Sequence, residues 1–293
     1  MEYLHGRLGY SQRRICRALG QARSTQRYRN NVSEEERRLI VSMHRLALRW
    51  PRYGYRRMSV LLRKDGWRVN VKRVHRLWKQ EGLQIHKKQC KRRRLGNGQN
   101  ACHRRRPEHK DHVWSYDFIS DRTEKGGRLR MLNVVDEFTR ECLTIEVARK
   151  FKGKEVDKVL TELFAIRGRP KFIRSDNGPE FASRAVRKWL RDSAVQTLFI
   201  EPGSPWENCY IESFNGKLRD ECLNGELFLS LAEARYIVDR WRLDYNHHRP
   251  HSMLGWQTPA AFAATCVPSD SATPHPSEHT KGNIGMTLTE LGT

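Results

Sequence analysis

His112-Val113-Trp114-Ser115-Tyr116-Asp117-Phe118-Ile119-Ser120 sets a carboxylate in the middle of an aromatic and β-branched run. Such a run reads as a buried strand, where a carboxylate is costly unless it is paired or metal-bound. Asp117 therefore requires a partner, and two later stretches offer candidates. Ser175-Asp176-Asn177-Gly178-Pro179-Glu180-Phe181 follows the apolar pair Phe172-Ile173, so Asp176 stands at a strand end and opens a turn. Further on, Ile211, Phe214 and Leu218 recur at helical spacing, and Asn208, Glu212, Asn215 and Arg219 fall on a second, polar face of the same helix. Three carboxylates from two strands and a helix repel one another unless divalent cations lie between them. An oxygen-rich site of this kind suits Mg²⁺ or Mn²⁺. Two such ions about 4 Å apart serve in-line displacement at phosphorus.

The elements around these stretches predict the fold. After the Asp117 strand, Lys125-Gly126-Gly127 forms a turn, residues 130–138 and 142–147 form two more strands, and residues 156–166 a helix. Residues 171–174 then read as a strand, 179–191 as a helix and 195–200 as a last strand. Strands followed by alternating helix and strand give an α/β layer fold with a mixed five-stranded sheet. Rival carboxylates are Asp121, Asp136, Glu137, Glu180 and Glu201. Asp136 ends the second strand, but Glu137-Phe138-Thr139-Arg140 beside it reads as a hairpin turn with local ion pairing. Glu180 suits the first turn of its helix. The Pro- and Gly-rich segment Glu201-Pro202-Gly203-Ser204-Pro205-Trp206 reads as a loop beside the site.

Thirty-five residues, 177–211, separate Asp176 from Glu212. With this spacing come DNGPEF at 176–181, PGSPWENCYIESFNGKLRDECLN at 202–224 and YNHHRPHSMLGWQTP at 245–259. Together they resemble the catalytic subunit of insertion sequence family three transposases, within the transposase and retroviral integrase superfamily, over residues 11–264. The resemblance implies a ribonuclease-H-like core preceded by a helix-turn-helix, and Asp117, Asp176 and Glu212 as the metal-holding acids. Asp117 would bridge two ions, and Asp176 and Glu212 would each complete one shell. Water would cleave the 3′ end of the element, and the freed 3′ hydroxyl would attack another phosphodiester. Asn177 and Asn215 would orient ligands or a phosphate, and Lys217 and Arg219 would hold the backbone. The family word has Gly where this chain has Cys209, which makes the start of the Glu212 helix a point to check.

The chain of 293 residues carries 56 Lys and Arg against 33 Asp and Glu, a formal net charge of +23. That balance points to a nucleic-acid partner, and no apolar run reaches the roughly 18 residues of a membrane span. Seven cysteines without close pairs and no apolar leader suit a cytoplasmic protein with reduced thiols, and the resemblance implies a bacterial, nucleoid-associated one. A zinc site from His86, Cys90, Cys102 and His103 is disfavoured because the gap between the cysteines fits no common ligand spacing.

Residues 1–32 read as a partial helix-turn-helix-like arm, with Ser11 and Ser24 as caps. Residues 33–86 form a helical DNA-binding domain: Ser33 and Glu36 make a capping box, and Asn70 caps the third helix. Its candidate DNA contacts include Arg56, Arg57, Lys72, Arg73 and Arg76. Residues 87–108 are a basic linker, with Lys91, Arg92, Arg93 and Arg94 set for phosphate contact. The catalytic core spans 109–228 and a helical extension 229–266, in which Asn246-His247-His248-Arg249-Pro250-His251 reads as a structural corner as readily as a substrate contact. The tail, 267–293, is read as disordered on composition.

The partners expected are element ends and target DNA, further copies of the chain on that DNA, and an upstream subunit joined by frameshift fusion, as in similar elements. Two alternatives stand beside this: a DNA-binding regulator, which would lack one of the three acids, and a nuclease of the same fold, which would hydrolyse without joining.

Overall fold

Helix starts in the amino-terminal part follow their caps. Ser11 accepts the Arg14 N–H ahead of α1 (Gln12–Ala18), Ser33 accepts the Glu36 N–H ahead of α3 (Glu34–Arg49), and Asn70 accepts the Lys72 N–H ahead of α5 (Val71–Gln80). The exception is α2 (Arg23–Arg27), which contains Ser24 instead of being capped by it. The Ala22 carbonyl accepts the Gln26 N–H, so the helix begins earlier than its sequence suggests. With α4 (Tyr55–Lys64) the last three helices enclose one apolar core: Leu39, Met43 and Leu46 from α3, Met58, Leu61 and Leu62 from α4, Val74, Leu77 and Trp78 from α5. These are the positions that helical periodicity assigns inward.

The computed structural model describes residues 9–27, 33–85, 106–175, 190–199 and 208–266, with Gly6. The chain divides into two compact units, Met1–Lys88 and Gln89–Thr293. The expected linker contacts Lys91, Arg92, Arg93 and Arg94, the zinc alternative at His86, Cys90, Cys102 and His103, and the tail 267–293 lie outside the described residues.

In the second unit the run around Asp117 folds as β1 (Val113–Arg122), the middle of five strands. β2 (Arg128–Asp136) and β3 (Cys142–Ala148) extend it as an antiparallel meander on one side. β4 (Phe172–Ser175) and β5 (Gln196–Phe199) add in parallel on the other, so the order is β3-β2-β1-β4-β5. The β1–β2 turn holds Gly126 at φ 76°, a conformation that side chains rarely adopt.

Alternation along the strands splits the core into two layers. Trp114, Tyr116, Leu132, Val134 and Ile173 pack with Val156, Leu160, Leu163 and Phe164 of α6 (Gly153–Arg167). On the other face Ile119, Leu129, Met131, Val135, Ile145 and Val147 pack with Ile211, Phe214 and Leu218 of α7 (Cys209–Glu221). The same layer takes in Ala234, Val238 and Tyr245 of α8 (Leu231–His247), so the helix read as an extension completes the core that positions Glu212. Asn246 clasps the backbone of Cys142 at the start of β3, accepting its N–H at 2.9 Å and donating to its carbonyl at 2.8 Å. Arg235 donates to the Val147 carbonyl farther along the strand at 2.8 Å. The corner after α8 buries Arg249, whose Nε lies 2.8 and 3.1 Å from the two Glu221 oxygens at the end of α7. Asn246 and Arg249 therefore hold this corner in the fold, while His247 and His248 are exposed. The chain continues to a short helix, α9 (Pro259–Thr265), which Thr258 caps.

The β2–β3 connection is a turn, but its ion pairing is not local. Glu137 is fully buried and pairs with Arg174 of β4 at 3.0 Å, and the Ser115 hydroxyl donates to it. The reason is position: the Glu137 N–H bonds the Val113 carbonyl, which carries the side chain under β1. Asp136 beside it is equally buried and accepts from the Phe138 N–H at 3.0 Å, the Thr139 hydroxyl at 2.8 Å and the Asp111 N–H at 3.3 Å. Burial outweighs these bonds and pushes its carboxyl from 3.8 up to about 6. A folded-state value above the unfolded one means a contribution present below the unfolded value and lost as pH rises through about 6. Wild type is therefore expected to gain on the order of 1 kcal/mol relative to Asp136→Asn when urea midpoints at pH 7.5 and pH 5 are compared. A difference that does not change with pH would contradict the buried, proton-binding carboxyl.

Candidate active site

Asp117 finds its partner on the Glu212 helix. It is half-buried, its Oδ1 accepts the Phe118 N–H at 2.7 Å, and its Oδ2 accepts the Asn215 side-chain amide at 2.7 Å. Asn215 is 8 % exposed, and its own Oδ1 accepts the amide of Asn133, which is 0 % exposed and stands directly opposite Asp117 in the β1–β2 pair. Three polar side chains thus form an island in the apolar layer between sheet and helix.

The rest of α7 runs alongside β1. Arg219, one turn after Asn215, donates to the Ser120 carbonyl at 3.4 Å. Glu212, one turn before Asn215, is exposed, and residues at this spacing lie about 5–6 Å apart at Cβ on one helix face. Glu212 and Arg219 thus flank the amide that touches Asp117. Lys217 turns away and donates to the Ser213 hydroxyl at 2.8 Å and carbonyl at 3.1 Å of its own helix. Cys209 is the first residue of α7 and is exposed, so the side chain that replaces the family's glycine does not disturb the helix start.

Asp176 and Asn177, with the rivals Glu180 and Glu201, lie outside the described residues. Parallel pairing of β1 and β4 runs to Ser115 opposite Arg174, and each aspartate follows two residues later in its chain. Of the remaining rivals, Asp136 and Glu137 are enclosed by the network described above. Asp121 accepts the Arg122 N–H at 2.8 Å on the β1–β2 hairpin. Carboxylate oxygen, the donor that Asp117 supplies, suits a hard cation. Among the described residues no group of three or more His, Cys, Asp or Glu is gathered, and Asp176 is not among them.

Sequence reasoning did not single out Asn133. Its signal was visible, an asparagine inside the apolar run Met131-Leu132-Asn133-Val134-Val135. Reading it required knowing that its partner lies eighty-two residues away.

In the first unit, Arg73 reaches Glu35 and Glu36 at 3.2 Å each, and Arg76 reaches Glu36 at 3.0 Å. These two arginines of α5 are thus drawn to the first turn of α3. Arg56 and Arg57 lie 5.6 and 5.3 Å from the ring centres of Tyr55 and Tyr53, and Lys72 is exposed.

Residues 107–205 and 193–259 match families described as integrase core domain, and residues 34–94 match an HTH-like domain. The chain is 39 % identical over 264 residues to an uncharacterized 31.7 kDa protein of insertion element IS407 from Burkholderia multivorans, covering 90 % of this chain and 94 % of that one. It is 24 % identical over 249 residues to the transposase for insertion sequence element IS904 of Lactococcus lactis, covering 82 % of this chain and 96 % of that one. Among solved structures it resembles a simian T-cell lymphotropic virus intasome in complex with the PP2A regulatory subunit B56 gamma. The TM-score is 0.53 and the identity 17 %, over 82 % of this chain and 80 % of that one. That likeness concerns the fold, which is ribonuclease-H-like with a mixed five-stranded sheet, preceded in the sequence by a helical HTH-like unit.

Proposed function

Because this chain belongs to the transposases of insertion sequence family three, proteins of DNA transposition, we propose that it cleaves the 3′ ends of its element and joins them to target DNA in a metal-dependent reaction. The observation that carries the proposal is the bond from Asn215 to Asp117, because it seats the Glu212 helix against the central strand. The β1–β4 register supports adding Asp176 to the pair, since strands run about 4.8 Å apart. Asp117, Asp176 and Glu212 are the residues that would hold two Mg²⁺ or Mn²⁺ ions, whose chemistry is to activate the attacking oxygen and stabilise the leaving one at phosphorus.

The chain's own side chains do the rest. Asn215 and the Phe118 N–H hold the two Asp117 oxygens and fix the carboxylate's orientation. Arg219 lies along β1 where a DNA backbone would approach, and Asn177 would orient a ligand or phosphate beside Asp176. In the first step water attacks a phosphodiester and the 3′ oxygen leaves. In the second, that 3′ hydroxyl attacks the target and a target oxygen leaves, so no covalent bond to protein is needed. The substrates are element ends and target DNA, bound by several copies of the chain with help from an upstream subunit joined by frameshifting. The HTH-like unit, through Arg56, Arg57 and Lys72, adds DNA affinity. Among the described residues no helix is long and apolar enough to cross a membrane, and DNA transposition places the protein at the bacterial nucleoid in the cytoplasm.

Purified protein, element-end DNA and Mg²⁺ are expected to give joined products on a denaturing gel. Asp176→Asn is expected to retain DNA binding and lose them. Undiminished joining by that variant would remove Asp176 from the mechanism, and cleavage without any joined product by wild type would indicate a nuclease.

A further inference from the structure

Asn133 occupies a place where stability favours an apolar side chain. Leu129, Met131 and Val135 share its face of β2, Ile145 stands opposite it on β3, and Ile211, Phe214 and Leu218 of α7 close the layer above. It is fully buried, and among the described residues its Oδ1 has no hydrogen-bond partner. A buried amide that leaves an acceptor unmet costs stability, so its presence calls for a compensating role.

The direction of the hydrogen bonds supplies one. An ionised Asp117 only accepts, so the Asn215 amide must turn its NH₂ toward the carboxylate. Its oxygen then faces inward and needs a donor, and the Asn133 NH₂ is that donor at 2.7 Å. If that donor is removed, the Asn215 oxygen points into an apolar layer, and rotating the side chain to relieve this withdraws the NH₂ from Asp117. The order of donation is therefore Asn133 to Asn215 to Asp117, each bond depending on the one beneath it.

We propose that Asn133 is a positioning residue for the active site. By donating to Asn215 it fixes the orientation in which Asp117 presents its carboxylate to a divalent cation. This rests on the metal-holding role of Asp117 stated above and adds a residue that touches neither metal nor DNA.

The test is Mn²⁺ binding by the full chain without DNA, measured by titration calorimetry, together with urea unfolding. Asn133→Leu and Asn133→Val both remove the donor and suit the apolar layer. Either is expected to stay folded with a cooperative urea transition while weakening Mn²⁺ binding about tenfold, within the 10- to 100-fold range for groups that orient ligands. In an Asn215→Ala background the same changes are expected to have no further effect, since the link they act through is gone. The proposal is overturned if a folded Asn133 variant binds Mn²⁺ within twofold of wild type. It is equally overturned if its loss persists undiminished beside Asn215→Ala. Wild type that binds no Mn²⁺ in a manner lost on Asp117→Asn would instead overturn the metal-site reading, and this proposal with it.

Discussion

Asp117→Asn is expected to lower the strand-transfer rate by roughly a thousandfold or more with little loss of DNA affinity. A ligating carboxylate contributes several kcal/mol of transition-state stabilisation through the cations it holds, and about 1.4 kcal/mol corresponds to a tenfold change in rate. The amide keeps the shape of the side chain but loses the charge. It also presents either a second NH₂ to the Asn215 amide, which is a mismatch, or its one oxygen, which leaves only the other end for a metal. DNA affinity arises from the large positive charge spread over the chain and is expected to persist. Single-turnover joining with gel-shift binding on the same preparation measures both. A rate within tenfold of wild type would remove Asp117 from the reaction.

Arg249→Ala is expected to destabilise the second unit by about 3–5 kcal/mol, read as a drop in urea midpoint. Arg249 is 1 % exposed, and its guanidinium contacts both Glu221 oxygens, with Nη2 adding a bond of 2.5 Å to Oε1. Truncation leaves the Glu221 carboxylate enclosed, its side chain 9 % exposed, without the charge that balances it. Replacing both partners with Met should recover most of the loss, because an apolar pair leaves no unpaired charge. A loss below about 1 kcal/mol for Arg249→Ala would mean that water reaches the pair, as at exposed ion pairs. Because Glu221 ends α7, the Ala variant should also lose joining activity through the helix that carries Glu212.

These two predictions differ in how far the sequence disclosed them. Asp117 was legible from one line, because a carboxylate in an aromatic strand needs a partner wherever the chain goes next. The helices α3, α4 and α5 were equally plain: periodicity and the caps at Ser33 and Asn70 are local signals, and the structure uses them as written. Local rules failed at α2, where a backbone carbonyl began the helix ahead of the serine. What they could not convey were pairings between distant segments. Arg249 with Glu221, Glu137 with Arg174, and Asn133 with Asn215 each join residues whose separate contexts announce a turn, a turn and a strand. The period of α8 showed a helix, but not that the helix completes the layer beneath Glu212.

The clasp of Asn246 on Cys142, with Arg235 on Val147, has a bearing on crowding. β3 is an outer strand, and an outer strand normally offers free backbone groups to any extended segment that drifts alongside. Here side chains from the overlying helix already occupy both ends of that margin. This flank of the sheet therefore resists zippering with an extended segment of a neighbouring molecule into a continuous ribbon.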